Sequence, residues 1–66
     1  MPEVNLQLIK KLREKKGMSQ AEMAQALRLK TSEKYTRREN GEYRFQASEI
    51  PVIATVLGVR IESLYK

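Results

Sequence analysis

The chain contains no cysteine and no histidine. Without cysteine there is no disulfide and no thiol nucleophile. Without either residue the usual zinc sites are gone, and the commonest general base is missing as well. Glycine is scarce, with three residues in all and no two close together. No loop is therefore rich enough in glycine to cradle phosphates, and no spacing of Ser, Lys and Glu suggests a base-activated nucleophile. An enzyme is not expected, and neither a cofactor nor a small-molecule ligand is indicated. No charged-then-apolar leader opens the chain and no apolar run approaches membrane-spanning length. The basic residues share no helix with a large apolar face, which argues against a membrane-surface helix. The expected setting is the cytoplasm, with no membrane partner.

What is present points to a small globular protein. Hydrophobic residues make up 41% of the 66 positions, enough for a single domain over 1–66 with one core and little surplus stability. The net charge is +5, and residues 1–46 carry eleven of the thirteen Lys and Arg but only six of the eight Asp and Glu. The last twenty residues balance at two against two. A positive excess confined to part of the chain suits a polyanion, although a merely soluble basic surface would have the same composition.

The periodicity is helical throughout, and no run alternates apolar and polar residues as a strand would. Five short helices are expected. The first runs from about Asn5, as cap, to Lys16, with Ile9 and Leu12 facing inward and Gly17 as the stop. The second, over about 19–28, opens on the clearest local signal in the chain, "MSQAEM". Ser19 and Glu22 stand at capping-box spacing, flanked by Met18 and Met23 at the two positions of a hydrophobic staple. The third, over about 32–40, begins near Thr31 or Ser32 and closes at Asn40-Gly41. The fourth starts at Ser48, tolerates Pro51 in its first turn, and repeats Ile50, Ile53, Ala54 and Leu57 on one face before Gly58. A last short helix carries Ile61, Leu64 and Tyr65.

The third helix is the odd one. Its stretch "TSEKYTRREN" has a single large apolar side chain, Tyr35, where a helix normally shows an apolar stripe. Its neighbours must hold it and present most of its circumference to solvent. A polar helix placed after a short helix and a turn makes a helix-turn-helix, in which the second helix enters the DNA major groove.

The segments "LREKKGMSQAEMAQAL", "YTRRENGEY" and "EIPVIATVLGVRIESLY" together resemble the lambdoid phage repressor and Cro family of helix-turn-helix domains. The specific marks are Arg13, "GMSQ" at 17–20, Ala24, "ENG" at 39–41 and the A-x-x-L-G-V pattern at 54–59. The resemblance covers roughly residues 8 to 65 and implies an all-α, compact five-helix fold of the lambda-repressor type. It also implies that Arg13 pairs with Glu39, tying the first helix to the end of the third. Gln20, at the start of the second helix, and Asn40 would contact phosphates. Base contacts would fall on Ser32, Glu33 and Arg37, with Lys34 close by. Arg can bond guanine O6 and N7 together, and Glu can accept from cytosine N4. Lys10, Lys30, Arg38 and Arg44 are expected on phosphates, which position a protein without reading sequence.

Two features depart from the family pattern. Between Gly17 and the E-N-G motif this chain has one residue more than usual, placed in the turn "LRLKTS", and Arg28 replaces the turn's customary glycine. A longer turn can supply the bend without a positive φ, at the cost of leaving the register of the third helix open. Arg38 stands where an aliphatic residue is usual; its methylenes can cover the core while its head reaches outward. The function expected is that of a small sequence-specific regulator on double-stranded DNA, a phage or bacterial repressor of the Cro type. An antitoxin controlling its own promoter and a protein-interaction module using the polar helix are the alternatives. One domain of this size reads few base pairs, so a homodimer on a palindromic operator is expected. Leu64 is expected in the core, with Ile61 and Tyr65 at the dimer interface.

Overall fold

The computed structural model describes residues 3–66, which form four α-helices and one closing 3₁₀ turn: α1 (Leu6–Lys15), α2 (Gln20–Ala26), α3 (Ser32–Glu39), α4 (Glu49–Leu57) and the turn Ile61–Leu64. The expected fifth α-helix is this single 3₁₀ turn. It is too short to propagate α-helical hydrogen bonding. Among the described residues there is no extended strand, only one isolated antiparallel bridge between Val4 and Tyr65. Among them, too, no helix is long and apolar enough to cross a membrane.

Helix starts follow local side-chain chemistry. Asn5 Oδ1 accepts from Leu8 N (3.2 Å) to begin α1. At α2 the capping box closes in both directions: Glu22 N donates to Ser19 Oγ (3.0 Å) and Ser19 N donates to Glu22 Oε1 (2.8 Å). Such a box satisfies two of the orphan donors of a helix start and stabilises it by about 1 kcal/mol. Thr31 caps α3 through Lys34 N (3.4 Å), which makes Ser32 the first helical residue. The start of α4 differs from expectation. Ser48 makes no side-chain cap, and the Glu49 carboxylate instead accepts from the backbone N–H of Gln46 at 2.9 Å.

All four α-helices end alike. In each, a residue one or two positions past the end has a positive φ and the next N–H returns to a carbonyl five residues back, as Leu29 N does to Ala24 O at 2.8 Å. Glycine takes the positive-φ position after α1, α3 and α4, but Arg28 takes it after α2, with φ 59°. The longer turn therefore does not avoid the left-handed conformation. Arg28 adopts it, because the closing hydrogen bonds of α2 and the inward-packed Leu29 require the reversal there.

Each element sends one fully buried side chain to the centre: Ile9, Met23, Tyr35, Ile53 and Leu64. Ala24, Ile50, Ala54 and Leu57 complete the core. The small side chains of Ala24 and Ala54 limit the bulk between α2 and α4, which pack together. The chain ends close the unit: Asn5 N donates to Leu64 O and Lys66 N to Glu3 O, each at 2.7 Å.

A left-handed conformation costs an L-residue about 1–2 kcal/mol. Arg28→Gly should therefore stabilise the fold by up to about 1 kcal/mol and raise the thermal midpoint by roughly 5 °C. A lower midpoint would mean that the Arg28 side chain contributes more than its backbone strain costs.

Candidate nucleic-acid interface

Helix α3 has too little apolar surface to be held by hydrophobic burial alone. A polar cluster at its C-terminal end makes up the difference. Glu39 is buried, and its carboxylate accepts from Arg13 Nε (2.9 Å), Arg13 Nη2 (3.0 Å), the Tyr35 hydroxyl (2.6 Å) and Gln20 Nε2 (3.4 Å). Arg13 in turn donates through Nη1 to Met18 O at 2.8 Å. The side chains of Arg13 and Glu39 are 9% and 2% exposed. One carboxylate thus joins α1, α2 and α3, and no buried side-chain polar atom among the described residues lacks a partner.

The electrostatics follow from this packing. Burial disfavours the Glu39 anion, but hydrogen bonds from Arg13 and Tyr35 outweigh it and hold the carboxyl below the ordinary value of 4.5. The hydrogen bond to Glu39 holds the Arg13 guanidinium above its ordinary value, against the opposing effect of burial. Burial, and then the hydrogen bond to an anion, push the Tyr35 hydroxyl far above the usual phenol range.

Gln20, expected at a phosphate, has its amide turned inward. Its Oε1 accepts from Thr36 Oγ1 at 2.8 Å while its Nε2 donates to Glu39. Its side chain locks α2 onto α3, and its backbone N–H lies at the helix start. Arg38, also expected at a phosphate, is committed within the fold. Its Nε donates to Glu49 Oε1 (3.0 Å) and its Nη1 to Lys34 O (3.0 Å), and the paired side chains of Arg38 and Glu49 are 11% and 10% exposed. The Arg38 head thus lies at the edge of the core, where the Glu49 carboxylate balances its charge and the Lys34 carbonyl takes a second N–H. Glu49 escapes a sequence reading because it resembles any acidic residue in a first helical turn. The signal that could have found it is the misplaced Arg38, which needs a partner.

With Tyr35 and Glu39 turned inward, Ser32, Glu33 and Lys34 are exposed and Arg37 is half-exposed. Glu33 and Arg37 form an ion pair one turn apart. Arg37 Nη1 also donates to the Tyr43 hydroxyl (3.0 Å), and its guanidinium carbon lies 5.6 Å from the centre of the Tyr43 ring. The hydrogen bond to Tyr43, followed by the attraction of Glu33, holds the Arg37 guanidinium above its ordinary value. Tyr43 was missed in the sequence. An aromatic residue set among charges in "GEYRF", just after the Gly41 reversal, was the available signal.

The remaining expected contacts are exposed but dispersed. Asn40 ends α3, and Lys30 lies in the turn before it. Arg44 follows Tyr43 along a groove shared with Val4, Leu6 and Phe45. Lys10 stands beside Asn5, Gln7, Lys11 and Glu14 on α1, in a hollow that no α3 residue lines. At the other expected surface, Leu64 is fully buried and Ile61 is 41% exposed. Tyr65 is half-buried against the core, with its backbone bridged to Val4.

A family model described as Helix-turn-helix matches residues 9–64 of the chain. No curated protein matches it closely enough to count as a relative.

Glu39→Ala strands Arg13 and the Tyr35 hydroxyl, so it should cost about 3 kcal/mol and lower the thermal midpoint accordingly. Acid should act through the same group. Because the folded carboxyl lies below 4.5, the unfolded chain binds the proton first as the pH falls. Stability is then lost progressively from about pH 4.5 down to the folded value. Melts of Glu39→Gln against pH should lack this component; an unchanged acid limb would assign it to other carboxylates.

Proposed function

The chain belongs to the lambdoid-repressor and Cro type of helix-turn-helix family, whose members are DNA-binding transcription regulators, and from that premise we propose that it is a Cro-type repressor binding a palindromic operator as a homodimer. The observation that carries this reading is the way α3 is held. Its inward residues, Tyr35 and Glu39, are fully committed to the fold, while Ser32, Glu33, Lys34 and Arg37 face outward on a helix with no apolar stripe. A rigid helix displaying polar donors and acceptors is what reading base edges requires.

Each contact then has its own work. Arg37 bonds guanine O6 and N7, and Glu33 and Ser32 contact neighbouring bases. Lys34 serves whichever of these edges lies nearest. Lys10, Lys30 and Arg44 neutralise phosphates, assisted by Asn40 and the backbone N–H groups at the start of α2. Two such domains a helical turn apart read enough sequence for specificity. Ile61, exposed at the far end of the chain from α3, is the apolar contact through which they pair.

With three phosphate-neutralising cations per subunit, a dimer should release counterions with a log-log salt slope of roughly −5. Arg37→Ala should cost roughly 1–3 kcal/mol on the preferred site and relax preference at one base pair. Arg44→Ala should weaken all sites alike and reduce the slope by about 1 per subunit. Site selection from a random duplex pool, followed by salt titration, measures both. Binding without salt dependence, or equal affinity for every duplex, would sink the proposal and favour a protein-interaction role for α3.

Ile61→Glu should leave the thermal midpoint unchanged, since the side chain is exposed, and abolish cooperative binding to a two-half-site duplex. Wild-type cooperativity in that variant would place the dimer contact elsewhere.

A further inference from the structure

Arg37 is held from outside its own helix. The reversal at Gly41, with φ 88°, turns the chain back along α3, so that the Tyr43 N–H donates to Arg37 O at 3.3 Å. The same tyrosine accepts from Arg37 Nη1 at 3.0 Å and sets its ring 5.6 Å from the guanidinium carbon. On the other side, Glu33 pairs with Arg37 Nη2. Two neighbouring residues therefore fix a side chain that would otherwise sample many rotamers. Of the five guanidinium N–H groups, Tyr43 takes one and Glu33 takes one. Three remain, and a guanine O6/N7 pair needs two.

Resting on the DNA-binding reading of α3, we propose that Tyr43 is a specificity-determining positioning residue: it holds the Arg37 guanidinium in the orientation that reads guanine, and contacts no base itself. A freely rotating arginine reaches phosphate oxygens as readily as a base edge, because both accept two parallel N–H bonds. Holding it suppresses the phosphate option. The clamp thereby turns general affinity into discrimination. Tyr43 is itself 49% exposed, so removing its side chain leaves the core intact.

The test compares wild type, Tyr43→Ala, Tyr43→Phe, Arg37→Ala and the Tyr43→Ala/Arg37→Ala double variant on the selected duplex and on duplexes altered at each base pair. Tyr43→Ala should lower discrimination at the Arg37 base pair alone by about fivefold, the size of an exposed cation–π contact. Tyr43→Phe, which keeps the ring and loses the hydroxyl, should fall between. The double variant should discriminate no worse than Arg37→Ala, and all thermal midpoints should stay at the wild-type value. In the free protein, the Arg37 Nε–H resonance should move when the Tyr43 ring is removed.

Uniform weakening on every duplex would overturn the proposal by making Tyr43 a backbone contact. Unchanged discrimination would overturn it as well, as would a resonance that does not move. A wild-type protein that binds all duplexes alike would overturn the DNA-reading function and this inference with it. The resonance would still report whether the clamp itself exists, which separates the two failures.

Discussion

The buried Glu39 carboxylate is the interaction on which the rest of the structure depends. A charge so deep in a small protein is destabilising unless its oxygens are filled. Here Arg13 approaches from α1, Gln20 from α2 and Tyr35 from one turn earlier on α3. The same bonds that make the anion tolerable also fix the relative placement of three helices. This matters most for α3, which contributes only Tyr35 to the apolar core. A helix held mainly by directional polar contacts has its rotation set more sharply than one held by interchangeable methyl groups, because a small turn would break several bonds at once. The face on which its outward residues stand is set for that reason.

The basic residues divide between the fold and the surface, and the net charge of +5 does not reveal the division. Arg13 and Arg38 are turned into buried pairs with Glu39 and Glu49. Lys16 reaches across to Val56 O at 3.1 Å, near the end of α4. Arg28 holds a strained turn. The cations left for a polyanion are fewer than the composition suggests, and of the two on the outward face of α3, Lys34 and Arg37, the second is itself constrained by Glu33 and Tyr43. Fewer and better oriented charges favour discrimination over general attraction, since long-range attraction depends on the number of cations and recognition on their geometry.

Arg38 and Arg28 each break a local rule, and the structure meets each in a different way. Arg38 occupies an aliphatic position and gains a buried carboxylate opposite, which couples α3 to α4 through a second charged contact. Arg28 gains no comparable partner: its left-handed conformation is imposed by the ends it joins. The first exchanges apolar packing for a pair that is costly to break. The second leaves a site where a smaller residue would be more comfortable.

The sequence by itself determined where the four α-helices lie, because most of their start and stop signals are local. Asn5, Ser19, Glu22 and Thr31 bond backbone groups within a turn of themselves, and the glycines after α1, α3 and α4 stop them through φ alone. The core was legible too, in the spacing of Ile9, Met23, Ile53 and Leu64. The single polar helix announced the outward face of α3. Apart from the Arg13–Glu39 pair, which the family resemblance implies, the tertiary structure decided which charges serve the fold. Whether Arg38 meets a phosphate or Glu49, whether the Gln20 amide faces outward or toward Thr36, and whether Tyr43 lies on Arg37 depend on distances between segments far apart along the chain or brought together by a reversal. So does the pairing of Val4 with Tyr65 that joins the chain ends. Helix starts and stops are short-range events written in neighbouring residues. The partner of a charged side chain is chosen by packing, which no single segment contains.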